Sequence, residues 1–510
     1  MNYFEIDGRN LTVENSIEAG RRKVKLRLSR ESAEKVKSAR KLVDKWIKNN
    51  EIVYGITTGF GEFKDVRIGQ KDTEKLQINL LLSHSAGVGS QIPSDIVKLM
   101  LLFRINSLAK GHSGVRLKLL QHLIKIYNND IIPVIPSQGS VGSSGDLSPL
   151  SHLSLVLIGK GKCYYKGNII KSDKALRLAG LKPIRLSAKE GLALTNGTQM
   201  MSAYLSKSLN ESIYLSKVSD VAAGFSLEAL KGTDKAYSDK LQKVRPHPGQ
   251  IVTARNLRKL LRRSEIMKSH IDCDKVQDAY STRCVPQVHG AVKDTINFVK
   301  RVLETEINSA TDNPLIFPET GEHIEGGNFH GEPLALAADY LAIAVSELGN
   351  ISERRTYRLT DGTLSGLPRF LIKNGGINSG LMISQYTAAS LASENKVLCH
   401  PASVDSIPTS ASQEDHNSMG SISARKCYEV INNVKKIIAI EFLCASQALE
   451  FLKPLNPGIG IKKGYDIIRK QIKPIENDVI ISDKIEKIYK IIFESDILKE
   501  IEKAAGKLEY

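Results

Sequence analysis

The chain has 510 residues, 41% of them apolar and 25% charged, the balance of a globular protein with room for roughly two to four domains or one large helical assembly. Lys and Arg outnumber Asp and Glu by 72 to 55, but the basic residues are interleaved with acidic ones along stretches such as 31–48 and 484–507; the formal charge of +17 therefore reads as a Lys-rich solvated surface and argues against a nucleic-acid partner. No stretch approaches about 18 uninterrupted apolar residues and residues 1–30 have no apolar signal-peptide core, so neither a membrane partner nor export is expected. The six cysteines stand apart with no C-x-x-C pair, as in a reduced cytoplasmic interior.

In chain order, Tyr3, Phe4 and Ile6 and then Leu26 and Leu28 predict short strands. The spacing of Val36, Ala39, Val43 and Trp46 predicts a helix from about residue 30 to 49, with Ser29 as its cap. A loop follows, Tyr54-Gly-Ile-Thr-Thr-Gly-Phe-Gly61, which alone is a turn with a phenol at its mouth. Next come Ser83 and His84 at the end of an apolar run, Leu81-Leu-Ser-His-Ser-Ala-Gly-Val-Gly89.

The central feature is Gly139-Ser-Val-Gly-Ser-Ser-Gly-Asp-Leu-Ser-Pro-Leu-Ser-His152. Gly142 and Gly145 allow positive φ or a tight bend, Asp146 stands where it could cap the next helix, and Pro149 fits that helix's first turn. No Lys follows the last Gly as in a nucleotide-binding P-loop, which excludes a nucleotide site. A small hairpin is predicted at Cys163 to Ile170, turning at Lys166-Gly167-Asn168, and Asn196 stands in Gly191-Leu-Ala-Leu-Thr-Asn-Gly-Thr-Gln199.

From about Ser202 the chain reads as long helices. Val292, Ile296, Val299 and Leu303 form one apolar stripe. Leu334, Ala338, Leu341, Val345 and Leu348 form a second, and Ile431, Val434, Ile438, Phe442, Ala445 and Leu449 a third. Spacings of three and four over several turns predict a mostly α fold with a central bundle of near-parallel helices and a smaller mixed N-terminal part, residues 1–200 against 201–510. Polar motifs punctuate the helices: Val276-Gln-Asp-Ala-Tyr-Ser-Thr-Arg-Cys-Val-Pro-Gln287, Asn308 to Pro314, Gly326-Gly-Asn-Phe-His-Gly-Glu332, and Gln413-Glu-Asp-His416.

These motifs, in this order, resemble those of the histidine and aromatic amino-acid ammonia-lyases, whose central segment reads Gly-Ser-Val-Gly-Ala-Ser-Gly-Asp-Leu-Ala-Pro-Leu. The resemblance implies that Ser143, Ser144 and Gly145 condense into a methylidene-imidazolone (MIO) electrophile, the only cofactor, with no metal. In that chemistry the Gly145 nitrogen closes a ring on the carbonyl carbon of residue 143 and Ser144 loses its hydroxyl. Ser143, in place of the usual Ala, leaves a hydroxymethyl on the ring.

The resemblance also assigns roles. Tyr54 is the base for the β-proton, a task for which a phenol of ordinary pKa ~10 needs a basic pocket or a strong donor. Asn196 and Tyr280 serve the electrophile, with Gln277 beside them. Arg283 forks onto the substrate carboxylate, and Phe329 is an aromatic wall. Ser83-His84 and Glu414 stand where family members that act on histidine differ from those that act on phenylalanine or tyrosine; an imidazole can use a His and a carboxylate, and a phenyl ring cannot. The implied reaction is elimination of ammonia from L-histidine to trans-urocanate in a cytoplasmic homotetramer with active sites shared between subunits. An aminomutase or another aromatic amino-acid ammonia-lyase is the alternative within the family, and a non-catalytic scaffold or binding protein the alternative outside it, with a nucleic-acid-binding role resting on the basic charge third.

Overall fold

The computed structural model describes residues 3–21, 24–61, 65–69, 72–273 and 275–510. They form two compact units, residues 1–210, 299–339 and 401–425 in the first, and 211–298, 340–400 and 426–510 in the second.

The first unit opens with strand β1 (Tyr3–Ile6), helix α1 (Val13–Arg21) and strand β2 (Lys25–Leu28), β1 and β2 pairing in parallel from Tyr3↔Lys25 to Ile6↔Leu28. Helix α2 (Arg30–Lys48) starts on Ser29, whose hydroxyl accepts from the Ser32 N–H at 3.1 Å, as expected of a serine cap. Its buried stripe of Val36, Ala39, Val43 and Trp46 forms the predicted core face, and Ala39, Val43 and Trp46 pack with Val53 and Ile56, which anchors the loop carrying Tyr54.

Helix α3 (Thr73–His84) leads to β3 (Val88–Gln91). Helix α4 (Ser94–Ala109) is buried from Ile96 to Ala109 apart from Lys98, because its apolar residues run all the way round. After α5 (Leu117–Asn128) and β4 (Ile132–Pro133) comes β5 (Pro136–Gln138), antiparallel to β3 with Val88 opposite Gln138. That pairing brings the chain beyond His84 to the start of the Gly139 loop.

Helix α6 (Leu147–Leu155) follows, then the hairpin β6 (Lys162–Tyr165) and β7 (Asn168–Lys171). Its turn is the two-residue Lys166-Gly167, both at positive φ (50° and 81°); Asn168 already pairs with Tyr165, so the predicted three-residue turn is one shorter. Helices α7 (Ser172–Leu178), α8 (Glu190–Thr195) and α9 (Gln199–Ala229) complete this stretch.

In chain order the remaining elements are α10 (Asp239–Lys243), α11 (Pro248–Leu260), α12 (Glu265–Lys268), α13 (Tyr280–Arg283), α14 (Val285–Glu306), β8 (Leu315–Phe317), β9 (Glu322–Ile324), α15 (Glu332–Thr360), α16 (Gly362–Ser365), α17 (Met382–Leu398), α18 (Gly420–Glu450), α19 (Ile459–Gln471), α20 (Ile481–Phe493) and α21 (Ile497–Ala505). Every residue of the three predicted stripes is buried, on α14, α15 and α18 respectively. Helix α15 is long and apolar enough to cross a membrane, but 67% of its most apolar window is buried inside the protein, the signature of a core helix.

Within the second unit Phe225 meets Phe442 edge-on, and α19 packs on α21. Two polar clusters sit in this core. Arg355 forks onto Glu441, Nε to Oε1 at 2.5 Å and Nη2 to Oε2 at 2.9 Å, with the Ser226 hydroxyl donating to the same carboxylate. Asp220 accepts from His289 Nδ1 at 2.8 Å, Lys293 Nζ at 3.0 Å and Asn256 Nδ2 at 2.8 Å. All six cysteines are free thiols.

Candidate functional site

The Gly139–Asp146 loop is clamped from two sides by its own unit. On one side Gly145 bridges to Gly197 in parallel fashion, the Asp146 N–H donates to Gly197 O at 2.7 Å, and the Gly197 N–H donates to Ser144 O at 3.3 Å. On the other, the Ser418 hydroxyl donates to Gly142 O at 2.9 Å, the Met419 N–H to Val141 O at 2.8 Å and the Ser421 hydroxyl to Ser140 O at 2.5 Å. The glycines are required by contact as well as by φ. A Cβ on Gly145 (φ +76°) would lie 2.1 Å from Gly197 O, and one on Gly142 (φ +71°) 2.2 Å from the Ser418 hydroxyl oxygen.

Asp146 does not cap the helix it precedes. Its Oδ2 accepts from the Met200 and Met201 N–H groups at 2.8 and 3.0 Å, so it caps α9, while α6 begins without a side-chain bond from Asp146. Two N–H donors at the positive end of a 31-residue helix are a better site for a fully buried carboxylate than the short α6. Burial still raises its pKa to about 7, against the pull of those N–H groups, the Ser140 hydroxyl and Arg104.

Ser144, partly exposed, donates its hydroxyl to Glu414 Oε1 at 2.9 Å. The other oxygen, Oε2, accepts from the Thr409 hydroxyl at 2.6 Å, and Thr409 and Glu414 also pair through their backbones. Glu414 is thus aimed at Ser144 by a short closed loop.

The Glu414 carboxylate acts electrostatically on His84 and Tyr54. Burial lowers the pKa of His84, with Glu414 opposing, and the imidazole Nδ1 lies 3.0 Å from the Ser83 hydroxyl. Burial also raises the pKa of the half-buried Tyr54; the Gly61 N–H, donating to the phenol oxygen at 3.2 Å, pulls the other way, and Glu325 and Glu414 push it up again. Tyr54 therefore rests as a neutral phenol. Of the basic pocket or strong donor expected from the sequence, the described residues acting on Tyr54 within this unit supply only the Gly61 N–H.

Asn196 closes α8, with its Nδ2 donating to Asn313 O at 3.3 Å; that same carbonyl accepts from Lys189 Nζ at 3.1 Å. Lys189 is fully buried and ion-paired to Asp312 at 2.8 Å. Phe329 is half-buried in a segment tied down by the Gly326 N–H on Asn313 Oδ1 at 2.9 Å. The structure brings Tyr54, His84, Ser143, Ser144, Gly145, Asn196, Phe329 and Glu414 into one unit.

Gln277, Tyr280 and Arg283 belong to the second unit. Tyr280 is 71% exposed on the single turn of α13, with the Arg283 guanidinium 4.7 Å from its ring centre, and Gln277 is exposed. The turn rests on the Tyr237 hydroxyl, which donates to Thr282 O at 2.7 Å.

Sequence reasoning passed over Arg104, Thr409 and the Lys189–Asp312 pair. For Arg104 a signal existed: it is a lone charge near the end of the otherwise apolar run Leu99 to Ile105.

Helices of this length around a doubly clamped Gly-Ser loop define a mostly α fold shared with known ammonia-lyases and aminomutases. The chain matches a histidine ammonia-lyase from Trypanosoma cruzi with a TM-score of 0.92 and 44% identity, covering 99% of this chain and 96% of that one. It matches a tyrosine aminomutase from Streptomyces globisporus with a TM-score of 0.93 and 35% identity, covering 99% of both chains. The chain belongs to the aromatic amino acid lyase family, whose model matches residues 11–470. Among curated relatives, a histidine ammonia-lyase from Caldanaerobacter subterraneus subsp. tengcongensis is 52% identical over 501 residues, 98% of each chain.

Proposed function

We propose that this chain is a carbon–nitrogen lyase that eliminates ammonia from L-histidine to give trans-urocanate, using an MIO group formed from Ser143, Ser144 and Gly145. The observation that carries the reading is the placement of Glu414, which holds the Ser144 hydroxyl while its charge acts on His84. A carboxylate on the Ser144 hydroxyl, with an imidazole within its electrostatic reach, matches a substrate that is itself an imidazole.

The loop residues fit the group. Ring closure needs the residue-145 nitrogen to come close to the residue-143 carbonyl, and Gly145 sits at positive φ in a cradle that a Cβ would fill. Once formed, the group supplies an electrophilic methylene carbon at the position of the Ser144 side chain. When the Ser144 hydroxyl leaves, Glu414 Oε1 is freed to accept the N–H of the substrate imidazole, with His84 as its neighbour.

Tyr54 takes the β-proton after losing its own, which requires a cation to offset the burial and the two carboxylates that hold it protonated. Arg283 binds the substrate carboxylate with its planar fork, and Phe329 walls the ring. Asn196 and Tyr280 stabilise charge on the electrophile. The chain works as a homotetramer in the cytoplasm, other copies completing each site with Tyr280, Gln277 and Arg283; the exposure of Tyr280 on α13 and of Gln277 just before it supports this.

Intact-protein mass spectrometry beside a Ser144→Ala control tests the reading: the wild type is expected to lack two waters. Added L-histidine is then expected to give the ultraviolet absorbance of urocanate. An undiminished wild-type mass sinks the mechanism, and a β-amino isomer in place of urocanate makes the protein an aminomutase.

A further inference from the structure

Arg104 is fully buried on α4, and all of its hydrogen-bond acceptors are neutral: Nη1 donates to Ala193 O at 3.0 Å, and Nη2 to Asn196 O and Gln199 Oε1. Among the described residues its Nε has no hydrogen-bond partner. Burying a charge is costly unless a counter-charge meets it, and here Asp146 and Asp312 act only at a distance. Burial lowers its pKa to about 10, so the guanidinium stays charged at neutral pH.

The Asn196 carbonyl and the Gly197 N–H are the two ends of one peptide unit. Arg104 pulls on the carbonyl end, and the N–H end donates to Ser144 O at 3.3 Å. A charged donor on a peptide oxygen polarises the whole unit and strengthens its N–H as a donor.

We propose that Arg104 is a positioning residue that acts through the Asn196–Gly197 peptide to stabilise negative charge on the Ser144 carbonyl oxygen. Charge collects there when Ser144 loses water. Removal of the Ser144 Cα proton sends that bond's electron pair onto the carbonyl oxygen. The pair then returns to form the Cα=Cβ bond as the Cβ–O bond breaks, and the hydroxide departs with the abstracted proton as water. The same oxygen carries charge again during turnover, so one residue serves both maturation and catalysis. The inference rests on the function proposed above.

The bland alternative is that Arg104 merely ties off the carbonyls at the end of α8. Asn106 supplies the control. It is equally buried on α4 and equally tethering, with Nδ2 donating to Ile307 O at 2.9 Å and Oδ1 accepting from the Gly8 N–H at 3.0 Å, but it has no link to Ser144.

Full-length wild type, R104Q, R104K and N106A are compared by intact mass, by thermal melting, and by kcat and KM for L-histidine. We expect R104Q to accumulate the two-water deficit more slowly and, in its dehydrated fraction, to lose about tenfold in kcat with KM within about twofold. R104K, which keeps the charge without the fork, falls between. N106A melts at a lower temperature but keeps the wild-type deficit and kcat.

A folded R104Q with the full deficit and wild-type kcat overturns the inference, as does an N106A chain with the same losses as R104Q. If neither Arg104 variant folds, Arg104 is structural and the inference also falls. A wild-type chain without the deficit overturns the proposed function itself, which is a different result.

Discussion

Two buried arginines make the most instructive pair in the molecule. Arg355, in the second unit, forks onto Glu441 and is neutralised where it stands. Arg104, in the first, is just as buried but among the described residues donates only to carbonyl and amide oxygens. A neutralised pair holds elements together and projects little field, whereas an unneutralised cation polarises whatever its donors touch. The charge that lacks a carboxylate is also the one a single peptide away from Ser144. The difference separates a residue kept for the fold from one kept for the chemistry.

The largest expected effect lies on the chemical side. Ser144→Ala abolishes the two-water deficit and lowers kcat by on the order of 10³-fold or more, the scale lost when one member of a catalytic unit is removed. Gly145→Ala comes next. Its Cβ, 2.1 Å from Gly197 O, displaces the Asn196–Gly197 peptide, so the mass deficit and the activity are both expected to vanish in a chain that still shows a helical circular dichroism spectrum.

On the structural side, Glu441→Gln leaves Arg355 buried and unpaired. It should cost about 3–5 kcal/mol in denaturant titration while the mass deficit stays complete. A missing deficit there would erase the contrast between the two arginines.

A smaller effect is expected from pH. Burial pushes His289 down to about 4, below its ordinary 6.5. The unfolded chain therefore binds the proton first as pH falls, and the stability held by neutral His289 is lost between about 6.5 and 4. Asp146 and Glu228, each raised to about 7 by burial, act in the opposite sense: they favour the fold at low pH and lose that contribution as pH rises towards 7. The clean measurement is a difference in melting temperature, wild type against His289→Gln, at pH 7 and at pH 4. The wild type should lose more on acidification, by up to a few kcal/mol.

Least of all, Thr409→Ala removes one of the two side-chain hydroxyls on Glu414 and should cost about 1 kcal/mol, seen as a raised KM for L-histidine with the mass deficit unchanged.

Much of the helical architecture was readable from local pattern. The stripes on α14, α15 and α18 are buried throughout because a 3.6-residue repeat of apolar side chains has one way to leave water. Ser29 caps α2 as its position predicts, since an N-cap bond spans three residues and needs no distant partner. The Gly-Ser loop likewise announced itself by composition. Asp146 was misjudged for the converse reason: its preference for helix N-termini is local, but the choice of helix is not, and the one it caps begins more than 50 residues on.

By itself, then, the sequence determined the residue types that the chemistry needs and the helical periods that bury a core, because both depend on neighbours within a few turns of chain. Only the tertiary structure decided that Glu414 faces Ser144 across 270 residues of sequence and that Arg104 stands behind the Asn196–Gly197 peptide without a counter-ion. Those arrangements depend on which groups meet once water has been removed. Burial then sets how strongly each charge is felt, and no local pattern encodes that.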